Sequence, residues 1–143
     1  MTPVREQLRR MVGGVLCAAF ALVGAAFLLV PDRVLSVFDA WSRSAGLATS
    51  AGEPAGLYVV LTVAYMYVVT RLAWSMFRRP DDPGPARLLV HAKVASALLS
   101  FGVFFLRQPH LILLANGIVD GSIGVLVMLL LKGPAAREEE RTA

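Results

Sequence analysis

The chain has 143 residues, 57% of them hydrophobic, and a mean hydropathy of +0.65. Soluble domains average about 45–50% apolar residues, so the excess needs a non-aqueous destination. A net charge of +4 and a pI near 9.8 would suit nucleic acid, but the basic residues sit in short clusters beside apolar runs and form no stripe interleaved with aromatics; that placement marks membrane topology instead.

Four apolar segments stand out, near residues 11–30, 57–77, 88–106 and 111–131. Each is close to the roughly 20 residues a helix needs to cross a hydrocarbon core of about 30 Å. Backbone groups in lipid must bond internally, which selects helices, and continuous apolar runs exclude the alternating strands of a β-barrel. The expected fold is therefore an all-α, integral membrane four-helix bundle forming a single domain over residues 1–143.

The first segment follows Arg5, Arg9 and Arg10 and so looks like a secretory signal, but about 20 apolar residues exceed the 7–15 of a signal core. It is expected to be a retained helix. Cys17, the single cysteine, is preceded by Val15 and Leu16 rather than a small residue, which argues against a lipoprotein signal. Alone it excludes an intrachain disulfide, a CxxC redox site and a cysteine-built zinc site; a buried small residue is the expectation. Gly14, Ala18, Ala21 and Ala25 form a small-residue face.

Pro31 ends this segment. Asp32 is expected to cap a short helix over DRVLSVFDAWSR, whose Val34, Leu35, Val37, Phe38 and Trp41 fall at helical spacing. That pattern suits an interfacial helix in the outer 31–56 loop, with Phe38 and Trp41 as anchors at headgroup level. The preferred reading is the plainer one, a lid packed on the bundle with no ligand beneath. Residues 45–56, rich in Gly, Ala, Ser and Thr, read as flexible loop.

In the second segment Tyr67, Thr70, Arg71 and Trp74 share one face. The following FRRPDDPGPAR holds three prolines and a glycine and reads as a turn. The third segment carries Lys93, Ser96 and Ser100 on one stripe. Only RQPH separates it from the fourth, so the two must be antiparallel neighbours. The fourth places Asn116, Asp120 and Gly124 on one face, with Gly117 and Gly121 as a GxxxG pair for close helix packing. The tail, residues 133–143, is charged and expected to be disordered.

Nine Lys or Arg residues flank one side of these segments (Arg5, Arg9, Arg10, Arg78, Arg79, Arg87, Lys132, Arg137, Arg141) and three the other (Arg33, Arg43, Arg107). Both termini are thus expected to be cytoplasmic. The remaining two, Arg71 and Lys93, fall inside segments. Asp120 does too, at about 2.5–3.5 kcal/mol for a mid-membrane aspartate. Thirteen Leu, Ile or Val residues in its segment offset this by at most about 4–8 kcal/mol. Asp120 must therefore face protein or water and find a partner. From the segment bounds it lies about 16 Å from the cytoplasmic boundary, against about 8 Å for Lys93 and 9 Å for Arg71. The economical arrangement points all three polar faces inward, giving a buried cluster of Asp120, Asn116, Arg71, Lys93, Tyr67, Ser96 and Ser100. Asp120 is then either half of a structural ion pair with Arg71 or Lys93, or a functional carboxylate.

His91 and His110 lie near opposite membrane faces and cannot ligate one haem iron. No Walker loop, GxSxG, HExxH or paired-carboxylate pattern occurs, so soluble-enzyme chemistry, a catalytic residue, a metal and a cofactor all lack support.

The small-residue first segment ended by Pro31, the glycine-led second with Tyr65 and Tyr67, and the Gly-rich fourth around Asp120 together resemble the DoxX-like group of small four-helix bacterial membrane proteins. The resemblance spans residues 11–131. It implies architecture and an accessory role in a membrane redox or transport system, and no catalytic residue. The leading expectation is an accessory or self-associating protein of the bacterial inner membrane, with the bilayer, copies of itself or other membrane proteins as partners and no nucleic acid. A transporter or channel subunit using Asp120 comes next. A membrane-embedded enzyme acting on lipid or quinone, through a cavity lined by Tyr67, His91 and Asp120, comes third.

Overall fold

A computed structural model describes residues 3–49, 56–107 and 109–131. It is all-helical: α1 (Pro3–Leu29), α2 (Pro31–Ser44), α3 (Gly56–Arg78), α4 (Gly84–Leu106) and α5 (Leu111–Leu131). Helices α1, α3, α4 and α5 are long and apolar enough to cross a membrane. The tail at 133–143 and residues 50–55 of the loop expected at 45–56 lie outside the described residues.

Two of the long helices, α1 and α4, start well before hydropathy implies. α1 begins at Pro3 rather than near 11, because a proline at the first helical position forfeits no bond and Arg, Glu and Gln are good helix formers. α4 begins at Gly84 rather than 88, inside the stretch read as a turn. The Gly84 N–H donates to Asp82 Oδ1 at 2.8 Å, and Pro85 sits in the first turn where its missing N–H is harmless.

α2 starts directly after α1. Its N-cap is Val30, with no side-chain cap bond, so Asp32 is not the cap; it lies in the first turn, where an acid favours the helix dipole. The helix ends in a Schellman motif. Gly46 has φ +67, Leu47 N–H donates to Ser42 O at 2.8 Å, and Gly46 N–H donates to Arg43 O at 3.2 Å. The chain then pairs Ala48 with His110 in a parallel bridge, and His110 Nδ1 lies 3.1 Å from Ala48 O. Ser42, 2% exposed, accepts the Leu111 N–H at 3.4 Å. These contacts lay α2 across the end of the bundle where α1 finishes and α5 starts.

The long helices associate as two antiparallel pairs, α1 with α3 and α4 with α5, joined along α3 and α4. Both pairs approach at glycine. A Cβ on Gly13 would sit 2.8 Å from the Phe77 backbone nitrogen and 3.1 Å from Ala73 O; one on Gly117 would sit 2.8 Å from the Phe101 ring. In the second pair Gly117, Gly121 and Gly124 meet Phe101, Ala97 and Val94 in reverse order, which is how antiparallel helices mesh. In the first pair the packed face of α1 is Arg9, Gly13, Leu16, Phe20 and Gly24, all buried. The expected small-residue face points elsewhere: Ala18, Ala21 and Ala25 are exposed.

The core is Leu16, Phe20, Met66, Val69, Ala73, Met76, Ala86, Leu89 and Val127. Outside it the long helices present apolar side chains, Leu22 and Leu99 among them, at 72% and 70% exposure. Surfaces of that kind are covered by lipid or by other protein rather than water.

Candidate functional site

The polar centre follows from where α4 begins. Lys93 lies nine residues after Gly84, about 14 Å along the helix axis, and Asp120 eleven residues before Leu131, about 16 Å from the same end. The depth mismatch expected from a helix starting at 88 therefore disappears. Lys93 Nζ donates to Asp120 Oδ1 at 2.7 Å, with the two side chains only 1% and 3% exposed.

The ammonium is held by all four long helices. It lies 4.4 Å from the Phe20 ring centroid of α1 and 5.1 Å from that of Tyr65 in α3, while Asp120 of α5 supplies the counter-charge. Cation–π contacts of desolvated cations are worth about 2 kcal/mol or more. The ion pair thus closes the α4–α5 hairpin, and the ring contacts fasten that hairpin to the α1–α3 pair. Tyr65 adds a bond of its own, its hydroxyl donating to Ala92 O at 3.1 Å. Asp120 Oδ2 is buried without a hydrogen-bond partner among the described residues.

About one turn away, Asn116 Nδ2 donates to Ser96 Oγ at 3.2 Å and to Ser100 Oγ at 2.8 Å. The structure therefore brings Asp120, Lys93, Asn116, Ser96 and Ser100 together. It does not bring in Arg71 or Tyr67. Arg71 is exposed and Tyr67 is 66% exposed, both on the outward face of α3. Helical spacing joins them to Thr70 and Trp74, but the buried residues of α3 are Met66, Val69, Ala73 and Met76, on the opposite side. His91 is exposed as well, so Tyr67, His91 and Asp120 share no cavity.

Tyr65, Ala92, Ala95, Ser96, Leu99 and Ser100 line an open groove of about 350 Å³ between α3 and α4. Asp120 does not reach it. At the end holding the α3–α4 turn, Arg9 is 4% exposed and its Nη1 donates to Pro80 O at 3.0 Å. This link between α1 and the turn went unread in the sequence, where Arg9 counted only as a topology charge. Its signal was the spacing 9, 13, 16, 20, 24, which sets it on the packed face of α1. Among the described residues no group of three His, Cys, Asp or Glu side chains is placed to hold a metal ion.

On α2, Trp41 is 58% exposed and Phe38 meets it edge-to-face at 5.9 Å. No protein-family model, no curated protein and no solved structure matches the chain.

Proposed function

We propose that the chain is a multi-pass protein of the bacterial inner membrane acting as an accessory or self-associating subunit, with both termini cytoplasmic. The architecture of the DoxX-like proteins, which it resembles, is consistent with this role. One observation carries the reading: the buried charge is already satisfied within the chain, by Asp120 and by the Phe20 and Tyr65 rings. A substrate-coupling carboxylate needs access to solvent or substrate, and the groove beside the pair is lined by other residues. Lys93 and Asp120 then act as a lock that sets how the four helices pack, leaving the outward faces to make contacts. The distribution of basic residues supports the orientation. Exposed Val37 and Trp41 support an α2 that rests at the membrane interface.

The test is the native mass of the protein released from its own host in mild detergent or nanodiscs. A particle containing other polypeptides or further copies is expected; a lone chain carrying a bound small molecule would contradict the reading. One observation favours transport instead, the unpartnered Asp120 Oδ2, because a buried oxygen without a donor is a place for a proton or water. Asp120→Asn separates the two readings: a structural lock loses folded protein, whereas a coupling carboxylate leaves a stable, inactive one.

A further inference from the structure

Arg71 lies inside the apolar span Val59–Arg78, yet it is exposed and has no hydrogen-bond or ionic partner among the described residues. Tyr65 marks the level of the Lys93–Asp120 pair. Arg71 is six residues further along α3, about 9 Å towards the basic end and so within the hydrocarbon half-thickness of about 15 Å. Tyr67 lies between these levels on the same outward face.

A lone arginine can escape by reaching for lipid phosphates. Two features oppose that here. Cα–Cβ bonds tilt towards a helix's N-terminus, which in α3 is away from the basic end. The way to that end is also taken by Arg78, a like charge, whose guanidinium lies 5.7 Å from the Trp74 ring centroid. A second copy of the chain cannot neutralise Arg71 either. The acidic residues of the four spans are Glu6, near the start of α1, and Asp120, already buried and paired.

From this juxtaposition we infer that the outward face of α3, formed by Tyr67, Arg71 and Trp74, docks a membrane-spanning helix of a different polypeptide whose Asp or Glu pairs with Arg71. The inference rests on the accessory-subunit reading and names the partner's chemistry. Tyr67 and Trp74 flank the charge, and Tyr, Trp and Arg are the residue types enriched at protein–protein hot spots; an acidic side chain at that depth would be as unstable alone as Arg71 is. Each charge removes the other's cost, which makes the pairing selective.

The experiment places p-benzoylphenylalanine at Tyr67 in the full chain expressed in its own host, with the same probe at Leu98 on α4, 67% exposed, as the control. The expected result is a cross-link from position 67 to another membrane polypeptide, within an apolar segment holding Asp or Glu. Its yield falls about tenfold or more in Arg71→Glu and stays within about twofold in Arg71→Lys. Arg71→Leu replaces Arg71→Glu if the latter fails to insert, with the same loss expected. Adducts only to lipid, adducts to a second copy, or a yield unchanged by loss of the charge would each overturn the inference. If the native particle still contains another polypeptide in those cases, the accessory reading stands and only this face is misassigned. If the particle is a single copy of this chain, both fall.

Discussion

Lys93 and Arg71 begin from the same problem, a basic side chain on an apolar helix, and meet opposite fates. Lys93 is among the most buried side chains in the described chain, paired with Asp120 and covered by two aromatic rings. Arg71 stands on the outward face of α3 with no partner among the described residues. The difference is one of helix face, since Lys93 shares its face with the buried residues Ala86, Leu89 and Ala97, whereas Arg71 lies opposite Val69 and Ala73. The lesson is that a charge facing the interior organises the fold, and a charge facing outward organises whatever covers that face.

The contrast can be broken most severely at the centre. Asp120→Leu strands the Lys93 ammonium and is expected to cost about 3–5 kcal/mol, read as a large fall in the thermal midpoint of the detergent-solubilised protein. Gly13→Ala comes next. Its new Cβ would meet the backbone of Phe77 at 2.8 Å, which cannot move without parting α1 from α3, so a loss of about 1–3 kcal/mol is expected by the same midpoint. Gly117→Ala meets the Phe101 side-chain ring instead; the ring can shift, and a smaller loss is expected. At the outer face, Arg71→Leu should leave the midpoint within about 0.5 kcal/mol of wild type while stripping co-purifying polypeptide from the native particle. The smallest effect belongs to Gly121→Ala. Its Cβ would sit 3.7 Å from Ala97 Cβ, ordinary contact, so the gain in helix propensity leaves stability unchanged or raised by up to about 1 kcal/mol.

The sequence announced four apolar helices because membrane spans are long, uniform and bounded by charge. α5 runs from Leu111 to Leu131, where the apolar run itself starts and stops. Elsewhere the helix ends were hidden by residues that hydropathy scores as loop, such as Pro85 and Arg87 in the first turn of α4, though a helix start accepts both. That four-residue error alone placed Lys93 at the wrong depth. Periodicity grouped Tyr67, Arg71 and Trp74 correctly as one face but carried no sign, because in a membrane span both directions are apolar and a polar stripe need not point inward. In α1 the visible stripe of small residues was Gly14, Ala18, Ala21 and Ala25, but the closest approaches are at Gly13 and Gly24, whose contacts with Phe77 and Met66 appear only once α3 is in place. The Asn116–Ser96–Ser100 bonds were closer to readable, since α4 and α5 had to be antiparallel neighbours and their stripes could meet.

The most direct test of the central claim is a double-mutant cycle on the ion pair, with Asp120→Leu, Lys93→Met and the two combined, each measured by thermal unfolding in the same detergent. A structural lock predicts that each single change is strongly destabilising and that the double change recovers much of the loss, because two apolar side chains leave no charge stranded. Single variants as stable as wild type, or losses that simply add in the double variant, would contradict it.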